Sequence, residues 1–370
     1  RAMPHELHAE EKQTTIFQCA SCGGSALFDP ESQQLKCQFC ESLTPIERTD
    51  EQHIEYPLWE TLATYERGER ETTRIFHCDN CGAETVLDPY NIADFCSFCG
   101  SSHIEEQNVE EVITPSLVVP FQVTHQQAIQ KFREWMKKRY FAPSKLMQLH
   151  QMDKLTGIYI PYWTFDADTF SKYTVNVGTH YYVTETYTYT DGDGKTQVGT
   201  RTVQKTRWHI ESGTYTEWFD DILVQATHQT AKALIRKVEP FHLGGLTDYK
   251  DEYISGFLAE RYAVGLDEGW SIATQAMDHA IRSGIEYQVN GDIVQIMKLK
   301  TEYSDETFKH LLLPIWLSSF RFKEKTYQFI INGQTGKVSG QAPISWVKVL
   351  LTTLGIAFVA FLFYMYMEMQ

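Results

Sequence analysis

Residues 17–42 read FQCASCGGSALFDPESQQLKCQFCES, and residues 76–101 read FHCDNCGAETVLDPYNIADFCSFCGS. These two stretches contain all eight cysteines of the 370-residue chain, and each arranges them as C-x2-C, fourteen residues, C-x2-C. Every cysteine of the second stretch lies 59 positions after its counterpart in the first. The pattern indicates a tandem duplication of one small unit.

The spacing of these cysteines predicts two metal sites. Two C-x2-C knuckles joined by a short hairpin bring four sulfur atoms around one ion, and zinc favours this tetrahedral set. An Asp-Pro pair in the middle of each spacer marks the hairpin turn. We predict two structural zinc ions, one bound by Cys19, Cys22, Cys37 and Cys40 and the other by Cys78, Cys81, Cys96 and Cys99.

Three other uses of paired cysteines compete with zinc. Disulfides need an oxidising compartment, and the chain starts without a recognisable signal peptide. Redox C-x2-C motifs normally occur once, near a βαβ pattern. An iron–sulfur cluster takes the same ligands and is disfavoured only by the ribbon-like spacing. A closed zinc site of this kind stabilises a fold and leaves no position for catalysis.

Charge separates the two ends of the chain. Residues 1–110 contain 7 lysines and arginines against 21 aspartates and glutamates, whereas residues 111–370 contain 26 against 27. Nucleic-acid binding requires a basic surface, so the acidic, cysteine-rich end disfavours nucleic acid as a partner. It suits the docking of proteins, including basic ones.

Composition predicts a multidomain protein with two tandem zinc ribbons of small β structure, an α+β domain and one C-terminal transmembrane helix. We expect a flexible N-terminus at 1–15, ribbons at 16–41 and 75–104, an acidic connector at 42–74, the α+β domain at 112–340 and the transmembrane helix at 346–367, with an acidic linker at 105–111. A helical pattern from Tyr56 to Glu69 is expected to pack the two ribbons together.

The α+β domain starts with a helix whose ends and faces can be predicted. Thr124 and Gln127 have the spacing of a capping box. The outer face of this helix is basic, and it either is solvated or contacts anionic lipid or the acidic ribbons. The helix carries five cationic side chains, Lys131, Arg133, Lys137, Lys138 and Arg139.

Strands and further helices follow that helix. Long alternating runs on either side of residues 191–194 predict a β-hairpin. Residues 220–283 are predicted to be mainly helical, and Asn290-Gly291 is predicted to be a second hairpin turn. A faint repeat matches Ile160-Pro161-Tyr162-Trp163 with Leu313-Pro314-Ile315-Trp316, 153 residues later, and a helix precedes each segment. We therefore predict an internally duplicated domain in which both tryptophans lie in the core.

Residues 346–367 predict a membrane-spanning helix. The uncharged run from Val349 to Met367 forms a helix about 28 Å long, close to the ~30 Å hydrocarbon layer of a bilayer. A buried core helix is the alternative, although few are apolar on every face. Lys337 and Lys348 precede the span and only Glu368 follows it. The positive-inside rule therefore predicts a tail-anchored, single-pass protein of the cell membrane with its N-terminal domains in the cytoplasm, where thiols stay reduced.

The sequence contains no common catalytic motif. It has no phosphate-binding G-x-x-x-x-G-K-[ST] loop, no H-E-x-x-H and no G-x-S-x-G, and its 13 histidines are scattered. We therefore predict that the protein is not an enzyme. A membrane-bound enzyme located between the two Pro-Trp segments stays as an alternative.

The chain resembles a family of bacterial membrane proteins with an N-terminal zinc ribbon of the transcription-factor-IIB type, often labelled primosomal protein N′ or replication factor Y. The resemblance is carried by the four knuckles, both Pro-Trp segments, FIINGQTGKVSG at residues 329–340, the apolar tail and the helix residues Ala128, Phe132 and Trp135. It implies a non-enzymatic adaptor in envelope stress, with phage-shock protein A-like or flotillin-like scaffolds as partners. A nucleic-acid-binding replication accessory protein is the alternative function.

Overall fold

A computed structural model describes residues 17–47, 54–65, 71–79, 83–86, 96, 104–111, 113–142, 155–227, 229–322, 325–341 and 344–368. The described elements, in chain order, are β1 (Ala26–Asp29), β2 (Gln34–Cys37), β3 (Leu43–Thr44), β4 (Tyr56–Pro57), α1 (Leu58–Tyr65), β5 (Glu71–Cys78), β6 (Glu84–Val86), β7 (Ile104–Glu111), β8 (Leu117–Val118), α2 (His125–Lys137), β9 (Thr156–Thr190), β10 (Thr196–Gln225), α3 (Gln229–Ile235), β11 (Thr247–Asp248), α4 (Asp251–Ile254), β12 (Leu258–Glu260), α5 (Leu266–Gln288), β13 (Ile293–Phe322), β14 (Lys325–Asn332), β15 (Val338–Gly340) and α6 (Trp346–Glu368). The protein is multidomain and mostly β structure with a few helices, and the predicted cysteine cluster and C-terminal apolar helix are both present.

The centre of the large sheet is the antiparallel pair β9–β13. Ile160 lies opposite Leu313, so the two Pro-Trp segments that match in sequence are paired with each other. Residues 157–167 are buried without interruption. Both faces of the sheet are covered here, which is why residues 157–163 form a continuous apolar run instead of an alternating one.

Short strands flank the central pair in the same way on both sides. β8 runs parallel to β13, with Leu117 opposite Leu311, and β12 runs parallel to β9, with Leu258 opposite Ile158. The local strand order is therefore β8-β13-β9-β12. In each half a short strand is followed along the chain by a helix and then by a long strand, and each short strand pairs with the long strand of the other half.

Two tryptophans fix the helices of the two halves. The indole N–H of Trp163 donates to the carbonyl of Val264, two residues before α5, at 2.9 Å. The indole N–H of Trp316 donates to the carbonyl of Val123, immediately before the α2 N-cap, at 2.8 Å. Both tryptophans are buried, as predicted. Thr124 forms the predicted capping box with the third residue of α2.

Helices cover the two faces of the sheet differently. On one face, α2 packs over the start of β9 and α5 packs over its middle, with buried side chains that include Phe132 and Met277. On the other face, α3 and the segment after it cover the central strands with Leu234, Ile235 and Val238. The central strands are therefore the middle layer of three.

Two strands extend past the sheet as a narrow arm. β13 begins opposite Gly178, and from there to the turn at residues 191–194 β9 pairs only with β10 in the described structure. Twelve further residues at about 3.3 Å each extend the ribbon by roughly 40 Å. Tyr182, Tyr187 and Tyr189 are exposed along it. The predicted hairpin is therefore confirmed, and its turn is held by the Asp191 carboxylate, which accepts the Lys195 backbone N–H at 2.9 Å.

Three secondary-structure predictions are wrong. Residues 220–283 are helical only in part: α5 fills 266–283 as predicted, but β10 continues to Gln225, α3 has seven residues and α4 has four. Asn290-Gly291 joins α5 to β13 and is not a hairpin turn. The acidic stretch at 105–111 is not a linker but belongs to β7, which pairs with β5. A short apolar run such as the end of β10 is compatible with strand and with helix, so periodicity does not distinguish the two there.

The helix predicted in the acidic connector exists, but its packing differs from the prediction. Leu58 of α1 is fully buried among residues of β9, β13 and α5, and the ring of Trp59 meets that of Trp270 at 6.3 Å. The described part of this helix therefore packs on the central domain, and its apolar residues do not join the two ribbons.

The last described element, α6, is long and apolar enough to cross a membrane. It has 23 residues, about 35 Å of helix, and none of it is buried against the rest of the chain. Exposed apolar side chains point in every direction around it, which a soluble core helix would not tolerate.

His310 is a buried histidine whose charge the fold opposes. Its Nδ1 lies 3.0 Å from the carbonyl oxygen of Ile113, and its ring stacks near Trp163, with centroids 4.5 Å apart. Its Nε2 is buried with no hydrogen-bond partner among the described residues. Burial lowers the pKa of His310 from 6.5 to about 4, so the ring is neutral at physiological pH.

We predict that His310 makes stability pH-dependent. Below pH 6.5 the unfolded chain protonates this ring, but the folded chain does so only near pH 4. Stability from this group is therefore complete above pH 6.5 and lost as pH falls towards 4, by about 3 kcal/mol in total. The variant His310→Gln should lack this component when thermal unfolding is followed at several pH values. His279→Gln, at an exposed position, is the matched control, and equal pH dependence of wild type and His310→Gln would contradict the prediction.

Candidate metal centre

The first cysteine quartet is built on a short hairpin. β1 and β2 pair antiparallel, and the turn between them is closed by Asp29, whose carboxylate accepts the Ser32 backbone N–H at 3.0 Å. The Asp-Pro turn predicted for this unit is therefore confirmed. Phe28 is buried against Tyr253, with ring centroids 5.5 Å apart. The unit has almost no core of its own and is fixed to the central domain through this side chain.

Each knuckle turns through a residue in the left-handed region. Gly23 follows Cys22 with φ +71°, and Glu41 follows Cys40 with φ +60°. The backbone N–H of Gly23 donates to the Cys19 carbonyl at 2.8 Å, and that of Glu41 donates to the Cys37 carbonyl at 3.2 Å. A positive φ is therefore adopted after the second cysteine of both knuckles, even where the residue is not glycine.

The four sulfur atoms converge as the spacing predicts. The Sγ atoms of Cys19, Cys22, Cys37 and Cys40 all lie within 4.8 Å of one another, and the Cys19–Cys40 and Cys22–Cys37 pairs are 3.5 Å apart. A tetrahedron with metal–sulfur bonds of about 2.3 Å has edges of about 3.8 Å, whereas a disulfide bond is only about 2.05 Å long. The arrangement therefore suits one metal ion and not two disulfides.

Hydrogen bonds prepare part of the quartet to carry negative charge. Backbone N–H groups of Ser21 and Phe39 donate to the sulfurs of Cys19 and Cys37, each at 3.4 Å. The hydroxyl oxygen of Ser42 lies 2.9 Å from the Cys19 sulfur and 3.2 Å from that of Cys40. Sequence analysis missed Ser42, although a serine also stands two residues after Cys99 in the repeat.

The thiols differ in acidity for this reason. The hydrogen bond from Ser42, with smaller contributions from backbone N–H groups, lowers the pKa of Cys19 to about 5. Ser42 also lowers the pKa of Cys40. For Cys22, a backbone hydrogen bond at Gly24 lowers the pKa. The neighbouring thiols of Cys37 and Cys40 outweigh this effect and raise the pKa of Cys22 to about 12. A cation is needed to make all four sulfurs thiolates together.

The second quartet is only partly within the described structure. Cys78 and Cys96 are buried in one apolar cluster with Ala83, while Cys81 and Cys99 lie outside the described residues. The backbone N–H of Cys78 donates to the Ala83 carbonyl at 3.0 Å. In the first unit, the backbone N–H of Cys19 donates to the carbonyl of Gly24 at 2.7 Å. The first knuckle of each unit is therefore closed by the same hydrogen bond.

Comparison with known proteins gives one similarity over nearly the whole chain. No family model matches, and no solved structure matches. The chain is 29% identical over 342 residues to "Uncharacterized protein YdjG" of Bacillus subtilis (strain 168), covering 92% of this chain and 94% of that protein. The name of this relative states no activity, so the similarity transfers none.

A second cluster of carboxylates surrounds a lysine. Oxygen atoms of Glu55, Asp166 and Asp220 lie within 4.8 Å of one another. The Lys309 ammonium lies 3.2 Å from Glu55 and 3.5 Å from Asp166. It lies 2.8 Å from Asp221, the residue next to Asp220. Burial opposes the charge of Lys309, but these carboxylates outweigh it and raise its pKa. The positive charge of this cluster is therefore supplied by a side chain of the protein, Lys309. The sequence alone gave no signal for the cluster.

Asp166 joins this cluster to two β-bulges. One bulge lies in β10 between Phe219 and Ile222, and the other lies in β13 between Ser304 and Thr307. The Asp166 carboxylate accepts the Asp221 backbone N–H at 2.6 Å and the Thr307 hydroxyl at 3.1 Å. Both neighbours of β9 are thereby fixed in register at Asp166, within the central part of the sheet.

We predict opposite effects of two backbone changes on metal affinity. Gly23→Ala places a Cβ in the left-handed region and should weaken binding about fivefold, which corresponds to about 1 kcal/mol. Glu41→Gly removes such strain and should tighten binding by about two- to fivefold. Chelator competition on the purified chain measures both. Glu41→Gln is the control that removes only the charge, and weaker binding by Glu41→Gly than by Glu41→Gln would contradict the prediction.

We predict that Lys309→Met destabilises the fold by about 3 kcal/mol or more, because it leaves the buried Asp166 carboxylate and its more exposed neighbours Glu55 and Asp221 without a cation. Replacing two of these carboxylates as well, in the triple variant Lys309→Met, Asp166→Asn, Asp221→Asn, should recover part of the loss. Thermal unfolding in detergent compares the three proteins. A triple variant no more stable than Lys309→Met would show that charge balance is not what this lysine provides.

Proposed function

We propose that the protein is a non-enzymatic, membrane-anchored adaptor that recruits other proteins through its cysteine-rich modules. The observation that carries this proposal is the first quartet, in which four sulfur atoms supply all the ligands of a tetrahedral ion. Such a site has no open position for a substrate and serves to hold a surface in shape. The apolar helix α6 supplies a means of anchoring that surface.

We infer that the metal is zinc and that two ions are bound. Four thiolates suit zinc and iron–sulfur clusters alike, and the C-x2-C spacing in a hairpin between two knuckles is typical of zinc ribbons. The second ion rests on the repeat, since Cys78, Cys81, Cys96 and Cys99 match the first quartet position by position. Structural zinc contributes on the order of 10–16 kcal/mol, which suits a module with one anchoring phenylalanine and little core.

We infer that α6 crosses the cell membrane and that the domains before it lie in the cytoplasm. Support comes from its length and composition, and from Lys337 and Lys348 before it against Glu368 at its end. Thiols that bind zinc also require a reducing compartment. With this topology the cysteine-rich modules are available to cytoplasmic proteins.

We also infer that the α+β domain arose by duplication. The inference is supported by equivalent contacts that each half makes with the other. The Pro-Trp segment of one half pairs with the Pro-Trp segment of the other. The indole of Trp163 bonds the backbone ahead of α5, and that of Trp316 bonds the backbone ahead of α2. Unrelated segments would have no reason to share this reciprocal pattern.

The recruiting surface that we propose lies on the first module. Phe39, between the cysteines of the second knuckle, is 75% exposed, and Leu43 is also exposed. Glu31, Glu41 and Glu47 are exposed around them. An exposed aromatic side chain among carboxylates, held by a metal site, has the character of an interaction anchor. The family resemblance extends the proposal to phage-shock protein A-like or flotillin-like scaffolds in envelope stress.

We predict that Phe39→Asp in the full-length chain lowers the recovery of partner proteins cross-linked in membranes by about tenfold or more, because it removes an aromatic anchor. Quantitative mass spectrometry of the purified complexes measures this. Metal content must equal that of the wild type, since Phe39 is not a ligand.

Tyr287→Asp is the matched control, because Tyr287 is 94% exposed but lies at the end of α5. Unchanged recovery with Phe39→Asp, together with unchanged recovery by a chain lacking residues 1–105, would contradict recruitment by the modules. Tight DNA binding that weakens steeply with salt would instead favour the replication accessory function.

A further inference from the structure

The segment that follows α2, residues 140–142, is bonded to the start of α6. The backbone N–H of Ser345 donates to the carbonyl of Phe141 at 2.7 Å. The ammonium of Lys348, in the first turn of α6, donates to the carbonyls of Ala142 at 2.7 Å and Tyr140 at 3.2 Å. Wherever α6 enters a bilayer, residues 140–142 therefore lie at the level of the lipid headgroups.

The α2 helix places its cations on the side away from the protein. Ala128, Phe132 and Met136 are buried, and Phe132 stacks on Phe329 with centroids 3.9 Å apart. The opposite side bears the exposed side chains of Lys131, Arg133, Lys137 and Lys138. Arg139 lies across the ring of Trp135, 3.4 Å from its centroid.

Within the described ranges, none of these five cations forms a salt bridge. The single carboxylate of the helix, Glu134, accepts a hydrogen bond from Gln130 at 3.1 Å. The whole chain has a formal net charge of −15, so this cluster of cations is opposite in sign to the net charge of the protein. An anionic partner is the complement that this surface lacks.

Exposed aromatic and apolar side chains complete the surface next to α6. Tyr140 is 67% exposed, Trp346 is 80% exposed, and Phe141 and Ile344 are exposed beside them. Tyrosine and tryptophan beside lysine and arginine are typical of the bilayer interface. We define Lys137, Lys138, Arg139, Tyr140 and Phe141 as the α2 interfacial patch.

We propose that the α2 interfacial patch binds the headgroups of anionic phospholipids in the leaflet where α6 begins. The lysines and the arginine pair with lipid phosphates, and the two aromatic rings insert at the headgroup level. This proposal rests on the proposed membrane span. Lipid is the expected partner because the bonds to Ser345 and Lys348 hold the patch at the membrane surface. There, each cation increases the affinity for anionic lipid by about fivefold.

The test uses full-length protein reconstituted in phosphatidylcholine vesicles containing spin-labelled phosphatidylglycerol or spin-labelled phosphatidylcholine. Electron paramagnetic resonance reports the fraction of each label that the protein restricts in motion. We expect at least a roughly twofold preference for phosphatidylglycerol, declining as salt is raised because screening weakens the contacts. The variant Lys137→Glu, Lys138→Glu, Arg139→Glu should lower the ratio to about one or less.

A matched variant places the same three charge reversals on the arm and on β13, at the exposed residues Lys195, Lys298 and Lys300. It should keep the wild-type preference. Equal restriction of both lipids by the wild type, or an unchanged preference in the α2 variant, would overturn the lipid site while leaving the membrane span intact. No restricted component with either lipid would overturn the span itself, and the lipid site with it.

Discussion

The pairing of β9 with β13 is the interaction on which the other parts of the molecule depend. At Ile160 and Leu313 the two strands are buried on both faces. Because water does not reach their backbone N–H and C=O groups, these groups must form hydrogen bonds with each other. Two of the helices that cover this pair, α2 and α5, are each held by a tryptophan from one of its strands. Loss of the pairing would therefore release both helices as well as the sheet.

The same pair explains where polar groups are tolerated inside the domain. His310 and Lys309 are adjacent on β13, so their side chains point to opposite faces. The first stays neutral beside Trp163, and the second stays charged among carboxylates. One strand therefore uses both solutions to burying a titratable group, loss of charge and pairing of charge.

Local features of the chain could be predicted from sequence because they depend on few neighbours. Cysteine spacing placed four sulfurs together, and Thr124 with Gln127 gave the capping box. The Lys309 cluster could not be predicted, since Glu55 and Asp221 come from distant parts of the chain. The strand in residues 220–225 was mistaken for helix because an apolar run this short is compatible with both structures.

Electrostatics and geometry together explain how an acidic module and a basic patch can serve one anchored protein. Gln33 of the first module donates to the carbonyl of Phe121 at 2.7 Å, just before α2, and the far end of α2 meets α6. This helix has 13 residues, or about 20 Å, which exceeds two Debye lengths of about 8 Å at physiological salt. Over this distance the negative charge of the module is largely screened from the cations at the other end of α2. The acidic module therefore does not cancel the positive charge through which the α2 interfacial patch is proposed to bind lipid.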